Sequence, residues 1–122
     1  MRLMSFALTT EQVIKQTKTV TRRLGWLTLH PGILLQPVVK AQGLKKGEHP
    51  EAIGAAIRVV SVRRERLRAM NAETRYGLRE AAREGFPHLT GKQFVAMFCK
   101  HMRVQPDAEV TRIEFEYTEP RY

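Results

Sequence analysis

The sequence predicts an α+β domain, most simply a small barrel or curled sheet flanked by helices. Strand-like stretches lie at both ends of the chain and in its middle, and helical stretches separate them without a repeated strand-helix-strand unit. The chain has 122 residues, of which 43% are hydrophobic. That length fits one domain spanning residues 1–122, whose core needs neither a metal nor a disulfide.

The first half of the chain contains two predicted strands and a short helix. Residues 2–8 have the apolar character of a strand, and Thr9 with Gln12 predicts a capping box that opens a short helix. A turn at Pro31 and Gly32 leads into a second, buried strand. Residues 40–54 contain three glycines and no apolar periodicity, so we expect a mobile loop there.

The second half begins with a long strand and continues with two helices. Residues 56–67 are rich in β-branched side chains, which favours a central strand. One helix is predicted over about residues 71–84, ending at the sequence GFP, and a second opens with a capping box formed by Thr90 and Gln93. Residues 109–117 alternate in polarity, which predicts a half-buried closing strand.

The composition indicates a soluble protein with an affinity for anionic partners. The formal net charge is +9 and the sequence pI is about 10.3, which favours phosphate-bearing or polyanionic molecules such as RNA. Cys99 is the single cysteine, so a reducing cytoplasm is the simplest location. We find no apolar run of membrane-spanning length, and the N-terminus turns polar too early for a secretory signal. We therefore expect a cytoplasmic protein without a membrane partner.

The stretch KTVTRR places Lys18 and Thr21 close together and beside two arginines. A threonine hydroxyl becomes a useful nucleophile when a base takes its proton, and a lysine can be that base if its pKa falls from about 10.4 to about 7 or 8. In a regular strand the two side chains would point to opposite faces, so they can cooperate only where the backbone turns. A solvated basic turn remains the alternative.

Glu84 is the second candidate for chemistry. It lies in the last turn of its predicted helix, where the helix dipole disfavours a negative charge. Its position near the apolar face of that helix could direct the carboxylate toward the body of the domain. An exposed glutamate paired with a neighbouring arginine is the alternative.

A basic surface offers a different kind of function. Arg75, Arg79 and Arg83 recur every fourth residue on one helix face, and four more arginines lie near the end of the long strand: Arg63, Arg64, Arg66 and Arg68. Such a surface could follow a phosphate backbone, although it could equally be a solvated face balanced by glutamates. Trp26 is the sole tryptophan and could stack on a base, or could anchor the core.

Cofactor chemistry finds little support in the sequence. Cys99 and His101 are two residues apart on a predicted helix and face different ways, and His30, His49 and His88 lie in separate loops. No phosphate-cradling glycine motif or Gly-x-Ser-x-Gly elbow is present. We predict no metal and no cofactor.

Several motifs in their order along the chain resemble the ASCH domain superfamily, whose fold is a PUA-like β-barrel. These are the initial SFAL, then KTVTRR, the HPG turn, REGFPHLTGKQFVAMF and the terminal VTRIEFEY. The resemblance covers nearly the whole chain. Small bacterial members of that superfamily are amidohydrolases that cleave N4-acetylcytidine to cytidine and acetate with a lysine, a threonine and a glutamate.

The resemblance implies catalytic roles for Lys18, Thr21 and Glu84. Lys18 would accept the proton of Thr21, whose oxygen attacks the amide carbonyl, and Glu84 would position groups or protonate the leaving nitrogen. Arg23 matches the loop arginine of the family and could hold the oxyanion with backbone amides. An ion pair between Lys18 and Glu84 would raise the lysine pKa, so the two must be separated or share a proton.

Two further residues complete the expected substrate-binding group, and one residue departs from the family pattern. Phe6 and Trp26 join Arg23 as expected substrate contacts. Arg22 stands where the hydrolases tend to have an aliphatic residue, and residues 40–54 form a longer loop than theirs. We find no role for Arg22 in the sequence.

The leading hypothesis is a metal-independent amidohydrolase that acts on N4-acylated cytosine nucleosides. The alternative is an RNA-binding module or ribonuclease that uses the arginine stripe, because other members of the superfamily are linked to RNA. A third hypothesis is a regulatory domain that binds a modified base without turning it over.

Overall fold

The computed structural model describes residues 1–120 as five strands with short helices between them. In chain order, the elements are β1 (Arg2–Ser5), a 3-10 helix (Ala7–Thr9), α1 (Thr10–Ile14), β2 (Val20–Arg23), β3 (Leu34–Val38), β4 (Ile57–Arg66), α2 (Ala69–Ala72), α3 (Thr74–Arg83), α4 (Gly91–Met102) and β5 (Glu109–Tyr117). The predicted α+β class is therefore confirmed.

The five strands form one mixed sheet in the order β1-β3-β4-β5-β2. β1 runs parallel to β3, and the other neighbouring pairs are antiparallel. Within residues 1–120, β1 pairs only with β3 and β2 only with β5, so the sheet has two edges. The barrel expectation, including its PUA-like form, is not supported, because closure requires ladder hydrogen bonds between β1 and β2.

Three local predictions differ from the structure. The first strand ends at Ser5, where a 3-10 turn replaces its predicted continuation. The predicted capping box of Thr9 and Gln12 is wrong: the Thr9 side chain makes no cap hydrogen bond, and the Gln12 side chain donates instead to the Gly85 carbonyl at 3.2 Å. The helix predicted over residues 71–84 is divided at Glu73, whose backbone is extended with φ of −134°.

The local signals of the second half are otherwise confirmed. The long strand β4 and the closing strand β5 form where the sequence predicts them. The capping box of Thr90 and Gln93 is present at the start of α4, with both reciprocal hydrogen bonds. Gly85 follows α3 with a φ of +103°, a left-handed conformation that glycine adopts at little steric cost.

The core consists of two hydrophobic clusters. The sheet cluster is centred on residues such as Met4, Phe6 and Phe115, whereas the helical cluster contains Met70 and Phe94. β5 carries four consecutive buried residues, from Val110 to Ile113, so the half-buried alternation predicted for this strand is wrong there. The strand lies between β4 and β2, and Val110 belongs to the helical cluster whereas Ile113 belongs to the sheet cluster. No helix within the described part of the chain is long and apolar enough to cross a membrane.

Candidate active site

A cavity of about 220 Å³ brings most of the predicted site residues together. Lys18, Thr21, Glu84, Arg23 and Phe6 all line it. Its walls come from the segment after β1, from β2, from the end of α3 and from α4. The cavity therefore lies between the sheet cluster and the helical cluster of the core.

The segment before β2 allows Lys18 and Thr21 to face the same cavity. Lys18 precedes the strand, and its backbone N–H donates to the Gln12 carbonyl at 3.3 Å. The next residue, Thr19, donates its backbone N–H to the Arg83 carbonyl at 2.8 Å. Regular strand geometry begins only at Val20, so the alternation that would separate the two side chains does not apply.

Lys18 is a buried amine held by a single residue. The residue is 3% exposed, and its Nζ donates to the Glu84 carbonyl oxygen at 2.7 Å and to Glu84 Oε1 at 2.8 Å. Burial lowers the pKa of Lys18; Glu84 opposes this effect, while the charges of Arg23 and Arg22 add to it. Lys18 and Glu84 are therefore in contact rather than separated, and the pKa of Lys18 is nevertheless lowered.

The two hydrogen bonds of Lys18 match what a neutral amine can donate. A neutral amine carries two protons and one lone pair. The two oxygens of Glu84 accept the two protons. In the neutral form, the lone pair of Lys18 would be available to accept a proton from a hydroxyl, which is what a general base must do.

Thr21 is paired with Arg23 in the same cavity. The Arg23 Nε donates to Thr21 Oγ1 at 3.0 Å, and its Nη2 donates to the Ser5 carbonyl at 2.7 Å. Its guanidinium carbon also lies 4.9 Å from the centre of the Phe6 ring. Burial lowers the pKa of Arg23 to about 10, so it remains a cation at neutral pH. Thr21 Oγ1 is the acceptor in its bond with Arg23, so the hydroxyl proton is not used in that bond.

Glu84 owes its position to the end of α3. It is the C-terminal cap of the helix, its backbone N–H donates to the Glu80 carbonyl at 2.9 Å, and the chain then turns at Gly85. Its second carboxylate oxygen accepts from Arg22 Nη1 at 3.0 Å. Glu84 is 3% exposed, and its two carboxylate oxygens accept hydrogen bonds from Lys18 and Arg22, so neither oxygen of this buried carboxylate is left unpaired.

Arg22, for which the sequence suggested no role, is the centre of a buried charge network. Its Nη2 lies 2.9 Å from Glu65 Oε2 and 2.7 Å from Glu80 Oε1. Burial opposes its charge, but the carboxylates, Glu84 foremost, raise the pKa of Arg22. A buried arginine in a position that is aliphatic in the resembled family is thus stabilised by three carboxylates.

The network continues through Glu80 to β5. Burial alone would raise the pKa of Glu80, but hydrogen bonds from Arg112 and Arg22 outweigh burial and lower the pKa to about 2. Tyr76 also donates a short hydrogen bond to Glu65. The sequence does not single out Glu65, Tyr76 or Arg112 as part of a site. The available signal was Glu80, which precedes Glu84 by four residues and therefore shares its helix face.

Trp26 is not brought to the cavity. Unlike Arg23 and Phe6, it is absent from the residues that line the pocket. It is half-buried, packs against the sheet cluster, and has the Arg2 guanidinium 3.7 Å from its ring centre. This position matches the core-anchor alternative better than a stacking contact with a substrate in this cavity.

A further wall of the cavity comes from α4, a helix whose sequence predicts no function. Phe94, Met97, Phe98, His101 and Met102 line the cavity. Their spacing of three and four residues places them on one helix face. That pattern alone is typical of a core helix, which is why the sequence did not distinguish a cavity wall from buried packing.

The arginine stripe is partly engaged in internal contacts. Arg83 Nη2 lies 2.8 Å from Glu114 Oε2, and the Arg79 guanidinium carbon lies 5.4 Å from the Tyr76 ring centre. On β4, Arg64 pairs with Glu109 at 2.8 Å. Across residues 1–120, no three or more histidines, cysteines or acidic residues are grouped so that they could hold a metal ion.

Comparisons with known proteins give information on the fold but not on the function. No family model matches the chain, and neither does any curated protein. The structure is similar to the crystal structure of protein EF3133 from Enterococcus faecalis V583, assigned to the family DUF984, with a TM-score of 0.59. The two chains are 15% identical, and the match covers 99% of this chain and 84% of that one. The likeness shows a shared fold.

Proposed function

We propose that the protein is an amidohydrolase that removes the acyl group from N4-acylated cytosine nucleosides. The observation that carries the proposal is the contact of Lys18 with Glu84 in the cavity that Thr21 and Arg23 also line. These are the four residues that the resemblance to the ASCH superfamily marks as functional. The proposal rests on that coincidence of motif and geometry.

In the first half of the proposed reaction, Thr21 becomes acylated. The lone pair of neutral Lys18 takes the Thr21 proton while Thr21 Oγ1 bonds to the amide carbonyl carbon. Arg23, which already donates to that hydroxyl, stabilises the negative charge that develops beside it. Lys18 then gives the proton to the cytosine N4 as the carbon-nitrogen bond breaks, and cytidine leaves.

In the second half, water removes the acyl group from Thr21. Lys18 takes a proton from the attacking water, and it returns that proton to Thr21 Oγ1 as the ester bond breaks. One amide and one water thus yield one cytidine and one carboxylic acid, with the enzyme unchanged.

Glu84 is assigned a positioning role rather than that of a proton donor. Its two carboxylate oxygens accept hydrogen bonds from Lys18 and Arg22, and its carbonyl accepts a third from Lys18. These bonds fix the position of the Lys18 amine in the cavity that Thr21 also lines. Arg22 also donates a hydrogen bond to the Glu84 carboxylate. The positive charge of Arg22 weakens the effect of Glu84 in raising the pKa of Lys18.

Release of cytidine from N4-acetylcytidine tests the proposal. The wild-type protein should form cytidine and acetate in equal amounts, and Lys18→Met should lose activity by roughly 10²-fold or more, the usual contribution of a general base. Lys15→Met is the matched control, because Lys15 is exposed and does not line the cavity. Equal turnover by Lys18→Met and Lys15→Met would refute the role of Lys18.

A further inference from the structure

Within the cavity, the candidate catalytic groups and a set of apolar side chains come from different elements. Thr21 and Arg23 come from β2, Lys18 from the segment just before it, and Glu84 from the end of α3. α4 contributes His101 and four apolar side chains, which we call the α4 wall: Phe94, Met97, Phe98 and Met102. The α4 wall therefore offers hydrocarbon and thioether surface within the same cavity as the candidate catalytic groups.

The α4 wall combines one buried side chain with three that are partly exposed. Phe94 is 3% exposed and makes tilted ring contacts with Phe86 and Phe98, whose ring centres are 6.0 and 6.2 Å away. Met97 and Phe98 are half-buried at the border of the helical cluster. Met102 is 40% exposed. Such a rigid aromatic base with adaptable methionines beside it suits an apolar group of variable size.

The two ends of an N4-acylated nucleoside differ in what they require. Cytosine and ribose carry ring nitrogen, carbonyl and hydroxyl groups, and burying these without partners is costly. An acyl chain has no polar atom beyond its carbonyl. The polar side of the cavity therefore suits the nucleoside, and the α4 wall suits the chain.

We propose that the α4 wall is an acyl-binding subsite that selects apolar acyl groups longer than acetyl. This inference rests on the proposed amidohydrolase function and names its substrate class. Each methylene that moves from water onto the α4 wall favours the transition state by roughly 0.8 kcal/mol, which is about fourfold in kcat/KM. Two added methylenes should therefore raise kcat/KM by roughly tenfold or more.

The experiment compares kcat/KM for N4-acetylcytidine, N4-butyrylcytidine and N4-hexanoylcytidine. The wild-type protein should favour the butyryl over the acetyl substrate by at least about tenfold. Met97→Gln, which keeps the side-chain length and adds polarity, should reduce this ratio to near one. Ala96→Gln introduces the same group on the exposed face of α4, outside the cavity, and should leave the ratio unchanged.

Each outcome separates the subsite from the function. Release of cytidine from all three substrates with no preference for the longer chains overturns the acyl-binding subsite and leaves the amidohydrolase intact. A butyryl preference that persists in Met97→Gln and in a second variant, Phe98→Ser, also overturns it. Release from none of the three substrates overturns the proposed function, and the subsite with it.

Discussion

At the residue scale, Arg22 links the candidate catalytic lysine to the rest of the molecule. It contacts Glu84, whose other oxygen holds Lys18, and it also contacts Glu65 and Glu80. Its charge lowers the pKa of Lys18, beside the larger effect of burial. Arg22 therefore affects both the stability of the domain and the protonation of the proposed base.

Replacing Arg22 should change the pH dependence of catalysis. The kcat/KM of the wild-type protein should fall as pH decreases, because Lys18 gains a proton and loses its lone pair. In Arg22→Met the pKa of Lys18 rises, since one nearby positive charge is lost and Glu84 acts on Lys18 alone. The acidic limb should therefore move to higher pH, which a pH series of kcat/KM measures.

A control and a stability measurement make the Arg22 test decisive. Arg58→Met removes an exposed arginine that pairs with Glu116, and it should leave the acidic limb in place. Arg22→Met should also lower the free energy of unfolding by about 3 kcal/mol, because it removes one cation from each of three buried or partly buried carboxylates, which keep only their other partners. If the variant is too unstable to assay, Arg22→Lys retains the charge, and its acidic limb should stay near that of the wild type. An unshifted limb in Arg22→Met contradicts the proposed coupling.

At the element scale, α3 and α4 approach so closely that only glycine fits between them. A Cβ at Gly77 would lie 2.9 Å from Gly91 Cα and 2.4 Å from the Met70 carbonyl oxygen. Both contacts are with backbone, so no flexible side chain can move aside. The position of α4, and thus of the α4 wall, depends on this contact.

Gly77→Ala should therefore destabilise the protein although alanine favours helices. The steric conflict should cost about 2–3 kcal/mol, more than the roughly 1 kcal/mol that alanine gains in a helix interior. Urea unfolding measures the difference, with Arg75→Ala on the exposed surface of the same helix as control. A Gly77→Ala protein as stable as Arg75→Ala would show that the helices are not in this close contact.

Glu80 connects α3 to β2 and β5, and its pKa makes that connection sensitive to acid. The pKa of Glu80 is about 2 in the folded protein and 4.5 ordinarily. Between these values the unfolded chain binds more protons, so the stability that Glu80 contributes is present above pH 4.5 and decreases as pH falls toward 2. Glu80→Gln should be less stable than wild type near neutral pH and should show a shallower loss of stability in that range.

Unfolding midpoints at several pH values between 4.5 and 2 measure the effect of Glu80. Glu116→Gln is the matched control, because Glu116 forms an exposed pair with Arg58 and should behave like the wild type. Equal pH dependence of Glu80→Gln and wild type would contradict the assigned role of Glu80.

The sequence predicted most elements because their signals are local. The capping box at Thr90 and the glycine after α3 each depend on a few neighbouring residues. Sheet closure and the Arg22 network are not local. Arg22 contacts Glu65 and Glu80 across 43 and 58 residues of sequence, and no pattern near Arg22 names those partners.

The candidate site was partly predictable for the same reason. Lys18, Thr21, Arg23 and Glu84 stand out by their residue types and by a family resemblance, and the fold brings them to one cavity. The α4 wall was hidden, because an apolar helix face has the same sequence pattern whether it borders a core or a cavity. Trp26 stands out in the sequence as the sole tryptophan, which suggested a substrate contact. Its tertiary surroundings decide what it contacts, and it packs against the sheet cluster outside the cavity.

At the scale of the whole molecule, the net charge of +9 acts on polyanions but not on a neutral nucleoside. Catalysis in the cavity should therefore depend little on ionic strength: kcat/KM for N4-acetylcytidine should change less than about twofold between about 50 and 200 mM salt. A kcat/KM that falls steeply with salt would indicate that a charged polymer is the true substrate.

The RNA-binding alternative has its own measurement at this scale. Binding of single-stranded RNA, if it is the function, should weaken steeply with salt, and Arg75→Ala with Arg79→Ala should reduce the slope. Arg75 and Arg79 are the appropriate pair, because both are exposed whereas Arg83 is held by Glu114. Thr21→Val should leave RNA binding unchanged in that case.

The most direct test of the central claim is the kcat/KM for N4-acetylcytidine of Thr21→Val against that of the wild type. Valine preserves the shape of threonine and removes the hydroxyl. We expect Thr21→Val to lower kcat/KM by at least roughly 10³-fold. Thr17→Val is the control and should keep wild-type activity, because Thr17 is exposed and lies outside the cavity. Wild-type turnover by Thr21→Val would contradict the assignment of Thr21 as the nucleophile.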